Sequence, residues 1–190
     1  MPAVAPRTLT LTPEDYFAWE TTQEVRHEYH NGEVFPMPGG SSAHAELVVN
    51  VIVALALALR ETECTVRSEA MRVQISEDHY VYPDLTVTRG PAAFRTGART
   101  TLLNPTLAVE VLSPSTRSYD IGEKLALYRT VPSLQEVLFV DSERRQAEAV
   151  RRTPGGWVFG GPVSEGEVRL ESVGVSLDLD EVYRGVEGLA

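Results

Sequence analysis

Residues 106–141 read TLAVEVLSPSTRSYDIGEKLALYRTVPSLQEVLFVD. Thr106 to Leu112 is a continuous apolar run carrying one acid, Glu110, and Glu136 to Asp141 is a second such run. Hydrophobicity that is continuous rather than alternating over so short a span marks strands covered on both faces. Between them Ser118 to Arg129 has helical spacing, and Val131-Pro132 stops it. Strand, helix, strand in that order is a right-handed crossover unit with parallel strands. The segment therefore predicts an α/β protein with a central mixed β-sheet flanked by helices.

Working outward, Thr12-Pro13-Glu14-Asp15 supplies an N-cap, a proline at the first helical position and an acid at the third, so a helix starts there and ends near Thr21. Val25 to His30 and Glu33 to Met37 flank Asn31-Gly32, a strong hairpin signal. Ala43 to Arg60 reads as a largely buried helix. Strands are expected at Cys64 to Glu69, Arg72 to Ile75 and Leu85 to Thr88, with a loop from Pro91 to Asn104. Ala147 to Arg152 and Trp157 to Phe159 form a hairpin about Pro154-Gly155-Gly156, and Val175 to Val186 a short strand and a terminal helix. At 190 residues, the expectation is one domain over 1–190.

Composition narrows the function. One cysteine, Cys64, leaves no internal disulfide and no cysteine-rich zinc site, which fits a reducing cytoplasm. The apolar run Leu47 to Leu59 is interrupted by Asn50 and is short for a bilayer, and the N-terminus lacks the order of a signal peptide, so no membrane partner is expected. A net charge of −10 argues against a general nucleic-acid coat, though not against an enzyme meeting DNA at one local surface.

Two carboxylates sit where carboxylates are costly. Glu110 must be paired, protonated or bound to a metal, because a lone buried charge costs several kcal/mol. A salt bridge to arginine and a metal site both satisfy it. Asp84 follows Pro83 at the entrance of the Leu85 strand, which is expected beside the Glu110 strand; a plain turn aspartate is the alternative. Two carboxylates on adjacent strands suit Mg²⁺, which accepts phosphate oxygens, with Mn²⁺ as a substitute. Lys124 is the one lysine among seventeen basic residues, and it shares a helix face with Asp120 and Tyr128 at i, i+4, i+8. An Asp120–Lys124 surface pair is one reading. An ammonium reaching the carboxylates to stabilise developing negative charge is the other.

Pro83-Asp84 followed by Glu110-Val111-Leu112 resembles the Pro-Asp…(Asp/Glu)-X-Lys signature of restriction-endonuclease-like nucleases, with Leu112 in the lysine position and the lysine moved to Lys124 on the next helix. More closely, the chain resembles a largely uncharacterised bacterial family grouped with the restriction endonucleases. Arg26-His27-Glu28-Tyr29 with Gly32-Glu33, then His44, Pro83-Asp84, Glu110 to Thr116, Asp120, Lys124, Tyr128 and Glu136 to Asp141 carry that likeness over nearly the whole chain. The resemblance implies a restriction-endonuclease-like core, with Asp84 and Glu110 on metal and Lys124 as the catalytic lysine. It also implies a third acid on the metal, Glu28.

Several further residues are auxiliary candidates. Gln74, in the strand before Pro83-Asp84, can offer a polar contact. His44 can meet a phosphate at a helix N-terminus or simply cap it. Ser113 precedes Pro114 and reads as a turn residue rather than a nucleophile. Arg144, Arg145, Arg151 and Arg152 flank a hairpin and form either a DNA-facing patch or solvated pairs with Glu143 and Glu148. The aromatics are too scattered to predict a base-stacking platform. The expected function is Mg²⁺-dependent endonucleolytic hydrolysis of DNA phosphodiesters. Alternatives are a catalytically silent binding or regulatory protein of the same fold and a hydrolase of a smaller phosphate ester. Cutting both strands favours a symmetric homodimer.

Overall fold

The computed structural model describes residues 10–37 and 39–189; the N-terminal stretch read for a leader lies largely outside them. Helix α1 (Pro13–Glu20) is capped by Thr12, whose side-chain oxygen accepts from the Asp15 amide. Strands β1 (His27–His30) and β2 (Glu33–Pro36) follow. They turn at Asn31 and Gly32, with φ 48° and 96°, the two positive values that a tight hairpin turn demands. Helix α2 spans Ser42–Leu59.

The middle of the chain forms β3 (Cys64–Ser68), β4 (Arg72–Ser76), β5 (His79–Val81), β6 (Leu85–Arg89), β7 (Phe94–Arg95), β8 (Ala98–Leu102) and β9 (Leu107–Leu112). After β9 comes one helical segment in three parts: α3 (Arg117–Tyr119), a π turn (Asp120–Lys124) and α4 (Leu125–Tyr128). Strands β10 (Glu136–Asp141), β11 (Ala147–Thr153), β12 (Gly156–Phe159), β13 (Glu167–Leu170) and β14 (Val175–Asp178) lead to α5 (Leu179–Val182).

Two six-stranded sheets result, ordered β2-β1-β5-β4-β8-β7 and β12-β11-β10-β9-β6-β3, with β13-β14 a separate hairpin. The expected strand–helix–strand unit is present: β9 and β10 pair in parallel, every residue of both is buried, and the α3–α4 segment connects them. One face of β9 meets α2 through Leu107, Val109 and Val111. The other meets α4 through Ala108 and Leu112.

One link decides where the site lies. β5 belongs to the first sheet and β6 to the second, and Tyr82-Pro83-Asp84 carries the chain between them. Proline has no N–H with which to continue a ladder, so pairing stops there and resumes in the other sheet. Asp84 thus sits at the seam.

Three expectations change. The loop expected from Pro91 to Asn104 contains β7 and β8, and β8 pairs in parallel with β4. Its Arg-Thr-Thr composition hides the strand, while buried Thr101 and Leu102 anchor it. Helix α2 buries only one face, through Leu47, Val51, Leu55 and Leu59. Val49, Val53 and Leu57 are 50–61% exposed, because the sheet and α5 cover a single side. Counted from Ser42, α2 is long and apolar enough to cross a membrane by length and composition alone, while the apolar run Leu47 to Leu59 is shorter. The helix is nonetheless docked on the fold, with the Asn50 amide donating to Val182 and Arg184 carbonyls. Finally, β5 and β13 are strands where none was expected.

Candidate active site at the sheet seam

Alternation along β9 turns Glu110 to the α4 side, with Ala108 and Leu112. β6 runs antiparallel to β9 with Leu85 opposite Val109, so the same register carried one step further sets Asp84 opposite Glu110. Asp84 Oδ2 accepts the Val111 amide at 2.7 Å. From the other sheet, β1 brings Glu28, whose Oε1 accepts the Tyr82 amide at 3.1 Å.

Lys124 joins the two sheets' acids. Its Nζ lies 2.9 Å from Glu110 Oε1, 3.1 Å from Glu28 Oε1 and 3.8 Å from Asp120 Oδ1, and it donates to the Tyr82 carbonyl at 3.3 Å. The residue is 3% exposed. Tyr128 donates its hydroxyl to Glu110 Oε1. Asp120, Lys124 and Tyr128 share the inward face as expected, but through a π turn in which the Leu125 amide reaches the Asp120 carbonyl. Such turns insert one residue into a helix and recur at functional sites.

Electrostatics follow from this crowding. Burial raises the Glu28 carboxyl, but Lys124 and hydrogen bonds from His30, Tyr119 and the Tyr82 amide outweigh it and lower the group from 4.5 to about 2. Burial pushes Glu110 well above the ordinary carboxylate value, with Lys124 opposing and Asp120 and Asp84 adding to the rise. Burial would depress the Lys124 ammonium, yet Glu110, Glu28 and Asp120 hold it well above its ordinary value. Lys124 is thus a buried ammonium ringed by carboxylates, with Glu110 the largest cause of its rise.

Among the auxiliary candidates, Tyr128 joins the site, and so does His44, whose Nε2 lies 3.4 Å from Asp84 Oδ2. That contact raises the imidazole above its ordinary value. Gln74 does not join: it lies on β4 and lines a separate cleft with Glu77, Asp78 and Arg95. Ser113 accepts the Thr116 amide, as a turn residue does. The four arginines sit away from the seam with partners of their own: Arg144 on Asp141, Arg145 on Asp180, Arg151 on Glu171, and Arg152 on the carbonyls of Arg129, Val131 and Leu134. Two site residues escaped the sequence reading. Tyr119 donates to Glu28 Oε2 at 2.6 Å, and His30 Nε2 lies 3.1 Å from the Tyr119 hydroxyl. Helical spacing from Asp120 points Tyr119 elsewhere, and only the π turn and the second sheet bring it in.

The donor set fits a hard divalent cation in part. Asp84 Oδ1 and Glu110 Oε2 accept no hydrogen bond from the described residues, and they belong to carboxylates facing each other across β6 and β9. Mg²⁺ commonly takes one or two protein carboxylates and completes its shell with water and phosphate. Both oxygens of Glu28, the expected third acid, are engaged by Lys124, Tyr82, Tyr119 and His30. Among the described residues, no three His, Cys, Asp or Glu side chains form a ready-made metal cluster.

Two sheets meeting at a Pro-Asp seam, with facing acids and one buried lysine, define a restriction-endonuclease-like α/β protein. A solved structure described as a "putative nuclease belonging to DUF820" from Anabaena variabilis superposes with a TM-score of 0.73, covering 91% of this chain and 97% of that one at 16% identity. The Uma2 family model, described as "Putative restriction endonuclease", matches residues 13–180, and the chain belongs to that family. Two relatives from Synechocystis sp. (strain ATCC 27184 / PCC 6803 / Kazusa) are similar. The uncharacterized protein slr1290 is 34% identical over 93% of both chains, and the uncharacterized protein sll1609 is 33% identical over 73% of this chain and 78% of that one.

Proposed function

We propose that the chain is a Mg²⁺-dependent endonuclease that hydrolyses DNA phosphodiesters at the sheet seam. The observation that carries this reading is the buried Lys124–Glu110 pair, with Asp84 at the position opposite Glu110 when the β6–β9 register is carried one step further. Asp84 and Glu110 would hold the cation through their free oxygens, with Mn²⁺ as a substitute. Bound there, it would neutralise phosphate charge and lower the pKa of a coordinated water. Lys124 would set its ammonium where negative charge grows as water adds to phosphorus and the leaving oxygen departs. Glu28 and Tyr82 fix that ammonium, and Tyr128 fixes Glu110.

A second reading, a catalytically silent binding or regulatory protein of the same fold, draws support from the near-complete burial of Lys124. A third is a hydrolase of a smaller phosphate ester. The cysteine content fits the cytoplasm, and cleavage of both strands favours a symmetric dimer. The test is cleavage of plasmid and oligonucleotide DNA with Mg²⁺ or Mn²⁺ by wild type, Lys124→Ala and Asp84→Asn. Metal-dependent cutting lost in both variants supports the nuclease; undiminished cutting by both overturns the site. Mg²⁺ binding by calorimetry with neither binding nor cutting of DNA favours the small-ester reading.

A further inference from the structure

Beside the acid–lysine cluster lies a cavity of about 390 Å³ that the proposed hydrolysis leaves unused. One wall comes from the β1–β2 hairpin: Phe35, Pro36, Met37 and His30. Phe35 stands directly opposite Glu28 in the hairpin register, so the two side chains share a face. Its ring is 47% exposed, and His30 meets it at right angles with centroids 5.3 Å apart. The facing wall comes from the helical segment: Thr116, Tyr119, Asp120 and Glu123. Glu28 and Lys124 also line it, which ties the cavity to the seam.

The charge of this lining selects its occupant. Lys124 is already held by Glu28, Glu110 and Asp120, while three carboxylates, those of Glu28, Asp120 and Glu123, line the cavity. A phosphate would be repelled. A flat neutral ring would gain an aromatic face from Phe35. Glu123 makes no hydrogen bond or ion pair among the described residues, and it offers an acceptor to an amino group. The volume is in the range of small-ligand sites.

We propose that this cavity is a nucleobase subsite. It receives the base of the nucleotide next to the scissile phosphodiester, unstacked and laid against Phe35, and it prefers bases bearing an amino group. The inference rests on the phosphodiesterase reading for its place in the substrate. Stacking on one aromatic side chain compares with the loss of stacking in a single strand but does not also replace a base pair. Single-stranded, flap or mismatched DNA is therefore preferred to perfect duplex.

The binding test needs no turnover, and cleavage is assayed beside it. Metal-free wild-type protein is titrated with deoxycytidine, deoxyadenosine and thymidine by NMR, and with single-stranded oligonucleotides carrying 2-aminopurine by fluorescence. Saturable binding is expected, weaker for thymidine and about tenfold weaker in Phe35→Ala, with Phe35→Trp restoring it and Glu123→Ala, which removes the acceptor, erasing the amino-group preference. Phe35 is half exposed, so its replacement leaves the fold in place. Equal binding by wild type and Phe35→Ala, or equal affinity for thymidine and deoxycytidine, overturns the subsite. Nucleoside binding without any metal-dependent cleavage keeps the subsite and removes the nuclease. Cleavage that needs Asp84 but ignores both Phe35 and strandedness does the reverse.

Discussion

Lys124 Nζ reaches Glu110 Oε1 at 2.9 Å from the helix that follows Glu110's own strand. The strand position two residues on, which shares Glu110's face, holds Leu112, packed in the core with Leu125. The helix therefore supplies both the apolar cover of the strand and the charge that partners its acid. Because the ammonium also meets Glu28 on the other sheet, one side chain pins the seam.

Lys124→Ala leaves Glu28, Glu110 and Asp120 without their common cation. Removing one member of a buried ionic group costs about 3–5 kcal/mol, so chemical denaturation should show a loss of that order along with loss of metal-dependent cleavage. Lys124→Arg keeps the charge but needs space and a planar geometry that the closed cage lacks. Cleavage should fall about a hundredfold or more, while more of the stability survives than in the alanine variant. Full activity in Lys124→Arg would reduce the lysine to a structural ion pair.

Asp84→Asn keeps an oxygen for the Val111 amide and removes the charge beside His44. The fold should stay within about 1 kcal/mol of wild type while cleavage is lost. In metal-free protein, NMR titration should find the His44 imidazole lowered relative to wild type, since the Asp84 contact is the main cause of its rise. The sign follows from a raised histidine: the stability it contributes is fully present below 6.5 and is lost as pH rises through the folded-state value.

Glu28 predicts an acid transition. Its folded-state value is depressed from 4.5 to about 2, so its contribution is present above pH 4.5 and is lost as pH falls towards 2. Urea unfolding of wild type and Glu28→Gln across that window should give a stability difference that is largest at pH 6 and shrinks as the acid is protonated. A difference independent of pH would exclude the ionised Glu28 as the source.

Leu55 and Leu57 separate the two faces of α2. Leu55 is fully buried and Leu57 is 61% exposed. Leu55→Ala should cost about 2–5 kcal/mol and Leu57→Ala no more than about 0.5 kcal/mol, read from denaturation midpoints. Equal, large losses would mean that something covers the outer face in solution.

Much of this was legible in the chain. The apolar runs around Glu110 and Phe139, the Asn31-Gly32 turn, the Thr12 cap and the Pro83-Asp84 dipeptide each carry a local physical signal, so the elements around the site stand where they were expected. The acid pair was legible too, because strand alternation and antiparallel register are short-range rules. Strand β8 was not, since its polar residues take strand form only where β4 offers an edge.

The sequence by itself determined that Glu110 is buried among apolar neighbours and that Lys124 stands alone on a helix beside it, because burial and periodicity are written in residue type and spacing. Only the tertiary structure decided that Glu28, from another sheet, reaches that lysine with His30 behind it, that Tyr119 swings in through a π turn, and that Phe35 opens a cavity beside them. Those contacts join residues far apart in the chain. Their proximity depends on how two sheets pack across the Tyr82-Pro83-Asp84 seam, which no local pattern encodes.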